Sequence, residues 1–90
     1  MTQEKIFLTE EVKEFSEEML KKLNNEKNRK KCDSWKTMSI ARLRNILKTE
    51  IYEWKLETEY FADGREKEEL LDIANVCMMM WHRIKKLEGI

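Results

Sequence analysis

Ninety residues make one small domain, and a domain of that size buries only about 60% of the surface its unfolded chain exposes, so its core needs reinforcement, most simply from a second subunit. The absence of proline, the presence of only two glycines, and 40% charged against 41% hydrophobic residues leave little turn chemistry for a sheet and suit long helices; an all-α fold is expected. Eighteen basic and eighteen acidic side chains cancel, which removes any overall electrostatic reason to bind nucleic acid or an anionic membrane.

The opening residues, Met1 to Glu11, contain no apolar core of a signal peptide, and the longest apolar run, Val76 to Trp81, is too short to span a bilayer. Cys32 and Cys77 lie in no metal-ligand or redox spacing. A cytoplasmic protein with two free thiols and no membrane partner is therefore expected.

Thr9 with Glu10 and Glu11 offers a cap and negative charge for a first helix, along which Val12, Phe15, Met19 and Leu23 recur at helical spacing. This helix is expected from about Thr9 to about Lys27. Asn24 to Ser34 has no apolar period and reads as a loop. The run Lys21 to Lys31 sets six positive charges against Glu26, by default a solvated stretch, with some capacity to attract a polyphosphate.

Thr37 or Ser39 starts a second helix, in which Ile40, Leu43, Leu47 and Trp54 form an apolar stripe that should reach about Thr58, before the Asp63-Gly64 turn. The third helix starts near Arg65 to Lys67, has Glu66, Glu68 and Glu69 in its first turns, and ends near Leu87 with Lys85, Lys86 and then Gly89, as the helix dipole prefers. Its middle, Leu70 to Trp81, is apolar almost all round. Such a helix is buried on all sides, and two other helices cannot enclose it; a three-helix protomer is expected to complete a four-helix-bundle core as a homodimer or homotetramer.

The apolar stripe of the second helix passes directly through Glu50, so a carboxylate occupies a core register. Glu53 follows three residues later, about 60° around the helix. The third helix repeats the device with Glu69 and Asp72, the latter enclosed by Leu70, Leu71, Ile73 and Ala74; Asn75 extends the line. Taken singly, an ExxE or ExxD pair in so charged a chain usually lies on a solvated face. Two such pairs in apolar registers of neighbouring helices need protons or a hard cation to offset their repulsion, and Mg²⁺, which keeps waters and completes its shell with phosphates, points to a phosphate ester or anhydride as substrate.

Glu50-Ile-Tyr-Glu53, fifteen residues, then Glu69-Leu-Leu-Asp72 resembles the ExxE…ExxD signature of the MazG-like all-α nucleotide pyrophosphohydrolases, and the Asp-Gly turn before Glu-Glu-Leu-Leu-Asp-Ile-Ala-Asn is similar too. The resemblance covers roughly 35–81. It implies that Glu50, Glu53, Glu69 and Asp72 bind Mg²⁺, with Mn²⁺ a possible substitute. It also implies that a nucleoside triphosphate is cut to the monophosphate and pyrophosphate; in such a metal-assisted hydrolysis Glu50 or Glu53 is the candidate acceptor of the attacking water's proton. Asn75 is a weaker candidate for contact with substrate. Many members have a glycine where this chain has Leu71, and a further helix beyond the third. On helical geometry alone Glu68 competes with Glu69 for the site; only the family pattern prefers Glu69.

Trp35, ahead of the second helix, is a candidate contact for a base, although a lone tryptophan more often simply packs. Trp54, Trp81 and Met78 to Met80 read first as core, and His82 as a packing or solvated residue. A di-iron bundle would need Glu-x-x-His, and the residue three before His82 is Met79. The serious alternative is a non-catalytic helical interaction module, nucleic-acid-associated through Lys21 to Lys31, with its acids merely solvated.

Overall fold

Ser39 turns the chain into its central hairpin: its Oγ accepts a hydrogen bond from the Arg42 N–H at 3.1 Å, and its carbonyl accepts one from the Leu43 N–H at 3.1 Å, as an N-cap serine should. The computed structural model describes residues 2–25, 34–60 and 64–89, with the side chains of 2–8, 34 and 60 excepted. Three α-helices, α1 (Thr2–Asn24), α2 (Ile40–Tyr60) and α3 (Glu66–Leu87), and one 3₁₀ turn (Ser34–Thr37) make up the fold, with no strand among the described residues. No helix there is long and apolar enough to cross a membrane.

The first helix begins seven residues earlier than expected, at Thr2 instead of Thr9. The reason is local: Gln3, Glu4, Lys5 and Leu8 are good helix formers with no glycine or proline among them, so nothing stops the helix extending upstream of Thr9. It closes at Asn24; the expected extension to Lys27, the body of the loop and most of the basic run fall on 26–33, outside the described residues. The second helix runs two residues past Thr58, and the third ends at Leu87 as expected.

Charge and glycine close α3. Glu66, Glu68 and Glu69 lie in its first turn, Lys85 and Lys86 in its last. Gly89, at φ +74°, donates its N–H to Lys86 O at 3.1 Å, while the Glu88 N–H reaches Ile84 O at 3.0 Å. The left-handed conformation needed for that exit is open to glycine without a Cβ penalty.

Helix α3 is the element on which the rest packs: mainly α2, then α1, then the 3₁₀ turn, which is held by the Arg83 Nε–H to Met38 O bond of 3.1 Å. Only five residues separate α2 from α3, so the two form a helical hairpin. Its near end is clipped by the Trp54 indole N–H donating to Glu66 Oε2 at 3.1 Å and by Arg65 Nη2 lying 3.4 Å from Glu57 Oε2. Counting inward from that clip brings Glu50 level with Glu69 to Asp72, and Leu43 level with Val76.

Leu43 and Val76 are buried together with Leu71, and these three make up the buried apolar core among the described residues. The third helix, expected to be buried all round, is covered on only part of its circumference within the protomer: Leu70, Cys77 and Trp81 are exposed. Trp81 is thus no core residue of the single chain, whereas Trp54 and Met78 to Met80 are half-buried.

With so few residues holding the hairpin, Leu43→Ala should destabilise by about 2–5 kcal/mol, the usual range for truncating a buried leucine. A denaturant melt showing a change of less than about 0.5 kcal/mol, the value typical of a surface site, would contradict this account of the core.

Candidate metal centre

The hairpin register brings carboxylates together from two helices. Glu50 stands in the middle of α2, and Glu69 and Asp72 lie in the first two turns of α3. One oxygen from each of the three lies within 4.8 Å of the other two. All three residues are half-buried, and Glu69 Oε2 is fully enclosed with no hydrogen-bond partner. An oxygen of that kind lacks what it would have had in water, and a hard cation restores it.

Their electrostatics follow from the geometry. Burial, followed by the charges of Asp72, Glu53 and Glu69, pushes the Glu50 carboxyl from its ordinary 4.5 up to about 7, with Lys22 opposing. Glu69 is raised by burial first, then by Asp72, Glu53 and Glu57, again against Lys22. Both shifts favour the neutral form relative to a carboxyl in water.

Glu53 stands apart from the other three. It is exposed and contributes no oxygen to the close cluster, yet its charge acts on both Glu50 and Glu69. Between the alternatives on α3, the structure brings Glu69 to Glu50 and Asp72. Glu68 instead accepts a bond from Lys22 Nζ at 3.1 Å, on the exposed side.

Asn75 is 4% exposed, its Nδ2 donating to Met19 O at 3.3 Å and its Oδ1 buried without a hydrogen bond. In the protomer it ties α3 to α1. Trp35 does not join the carboxylates: with Lys36, it lines a separate groove against Met78, His82 and Arg83. Met78 lies six residues beyond Asp72, about 9 Å along the helix. His82 is exposed, its ring edge-on to Trp81 with centroids 4.8 Å apart.

Two residues of the site escaped sequence reasoning. Glu57, four residues after Glu53 and seven after Glu50, lies on the same face of α2, has a buried Oε2 that faces Arg65 Nη2 at 3.4 Å, and acts on Glu69. Its helical spacing was readable; its burial was not. Lys22 is the second. Its half-buried ammonium lies 3.3 Å from Asp72 Oδ2 and 3.1 Å from both Glu68 Oε2 and the Glu68 carbonyl oxygen. Burial alone would lower its pKa, but the bond to Glu68 and the charge of Asp72 outweigh that and raise it above 10.5. Nothing in the basic run singled it out, because its partners lie 46 residues and more away.

No protein-family model, curated protein or solved structure matches the chain.

The raised Glu50 fixes a sign. An acid whose folded pKa lies above its unfolded value holds a proton in the native state that the unfolded chain has released, so stability falls as pH rises from 4.5 through about 7. The metal-free protein should therefore melt higher at pH 6 than at pH 8, and Glu50→Gln should flatten that dependence and raise the melting temperature at pH 8. Thermal melts in a chelator would test both; an unchanged pH profile in the variant would mean that Glu50 is solvated.

Proposed function

We propose that the protein is a Mg²⁺-dependent nucleotide pyrophosphohydrolase, cleaving a nucleoside triphosphate to the monophosphate and pyrophosphate as a homodimer or homotetramer in a reducing cytoplasm. The observation that carries this reading is the convergence of Glu50, Glu69 and Asp72 from two helices, with an enclosed Glu69 oxygen that no protein donor satisfies. The donor set is all oxygen, which suits Mg²⁺ and admits Mn²⁺. The ExxE…ExxD resemblance supplies the reaction class.

Glu50, Glu69 and Asp72 would hold the ion, with Glu53 close enough to act on the charge of Glu50 and Glu69. When bound, Mg²⁺ supplies charge to polyphosphate oxygens and lowers the pKa of a coordinated water. The chain's own contribution is proton transfer and orientation. As water attacks phosphorus, a new P–O bond forms, the bond to the departing pyrophosphate breaks, and the water's proton needs an acceptor. Glu50 and Glu53, three residues apart on α2, are the candidates for that acceptor.

Homo-oligomerisation is supported by the apolar side chains that the third helix leaves exposed, Leu70, Trp81 and Ile84. The exposed Cys77 thiol fits a reducing compartment.

One observation favours a second reading, a non-catalytic helical interaction module: Lys22 already partners Asp72, so the protein itself supplies part of the cation. The two readings separate in one assay. Pyrophosphate release, measured over the common nucleotides, should require Mg²⁺ and fall at least about 100-fold in Glu50→Gln, a typical loss for a general base. Mg²⁺ at a hundred times its Kd should stabilise the native protein by about 2.7 kcal/mol, and Glu50→Gln should reduce that response. Absence of both turnover and Mg²⁺ stabilisation would leave the interaction module.

A further inference from the structure

We infer that the groove between the 3₁₀ turn and the second half of α3 is a seat for single-stranded nucleic acid, separate from the carboxylate centre and from the run Lys21 to Lys31. It does not depend on the proposed hydrolysis. Trp35 and Lys36 line the groove from the turn, and His82, Arg83, Lys85 and Lys86 line it from α3, with no acidic side chain among the lining residues. Its two walls are tied together. The Met38 N–H donates to Trp35 O at 3.2 Å and the Arg83 Nε–H to Met38 O at 3.1 Å, so the turn that carries Trp35 is held against the helix that carries the cations.

The chain is neutral as a whole, yet its charge is sorted along the hairpin. Residues 34–49 and 76–89, which meet at the open end, hold seven basic side chains against Glu88 alone, whereas residues 50–60 and 64–72, toward the clip, hold eight acids against three bases. The helix dipoles account for only part of this. Lys85 and Lys86 sit at a C-terminus that favours them, but Lys36, Arg42 and Arg44 crowd the N-terminal end of α2, whose first turn has no acid and whose dipole opposes cations. Among the described residues Arg83, Lys85 and Lys86 make no ion pair, although Lys21, Lys22 and Arg65 each meet a carboxylate. Like charges gathered at one end repel one another, and a polyanion offsets them.

Charge alone would suit any polyanion; the aromatic side chains narrow the choice. Trp35 is half-buried in the groove and His82 is exposed beside it. Planar faces that stack bases, set among cations that meet phosphates, hold a single strand with little regard to sequence. A duplex keeps its bases stacked on one another and offers the indole no free face. The α3 wall from Met78 to Lys86 runs about 12 Å, and Arg42 and Arg44 carry the positive charge further, so the surface meets several phosphates of a strand.

The experiment uses the full chain in a chelator, so that no hydrolysis enters the reading, with a fluorescein-labelled oligothymidylate as the probe. At low salt the oligonucleotide should bind, and more tightly than either a duplex or an abasic strand of equal length. Trp35→Ala should weaken oligothymidylate binding about tenfold, the order of one lost stacking contact, and leave the slope of log affinity against log salt unchanged. Lys85→Gln combined with Lys86→Gln should instead flatten that slope by about 1.4, two phosphate contacts at about 0.7 each. Both variants should keep the helical circular dichroism. No binding at low salt would overturn the inference, as would binding that neither variant changes, which would seat the strand elsewhere. An abasic strand bound as tightly as oligothymidylate would reduce the groove to a general attraction for anions and overturn it too. Should Trp35→Ala fail to fold, the abasic comparison on the unaltered chain and the lysine variant still decide the matter.

Discussion

Mutual repulsion among carboxylates held between α2 and α3 is the constraint around which the rest of the structure is arranged. Glu50, Glu69 and Asp72 meet within 4.8 Å, and Glu53 and Glu57 add their charge from the same face of α2. Hydrophobic burial alone would place leucines there. The protein instead accepts raised carboxyl pKa values and a buried oxygen without a donor, a combination that clusters at functional sites because it is costly for folding alone. The surrounding fold offsets the repulsion in two ways. The apolar layer of Leu43 and Val76 lies immediately beyond the acids, and the clip formed by Trp54 with Glu66 and Arg65 with Glu57 fixes the register on the other side.

That arrangement divides α3 into sides with different duties. One packs on α2 and carries the acids, a second holds α1 through Asn75, and a third bears Leu70, Cys77, Trp81 and Ile84 outward. The small buried core of the described residues and the bare apolar side of α3 are two expressions of the same fact.

Much of this was legible in the sequence, and the limits have physical causes. The hairpin followed from the stripe Ile40, Leu43, Leu47, Trp54 and from the caps at Ser39 and Gly89, because these signals act over one or two turns. The anomaly of Glu50 was visible because a charge interrupted a regular apolar period. Thr9 misled for a related reason: a good capping residue also sits comfortably inside a helix when its predecessors are helix formers. Lys22 and the burial of Glu57 depend on which helix lies alongside, information that no local window contains. Trp35 looked like a ligand contact through its chemistry, and its position beside Met78 and His82 is set by how the 3₁₀ turn docks on α3.

Lys22 couples the seating of the first helix to the charge of the acids. Its ammonium reaches Asp72 and Glu68 from a separate helix, 3.3 and 3.1 Å away, and so brings a covalently attached cation to a place that is short of positive charge. Docking α1 and offsetting part of the acids' repulsion are thereby one event, and a change that loosens either loosens the other.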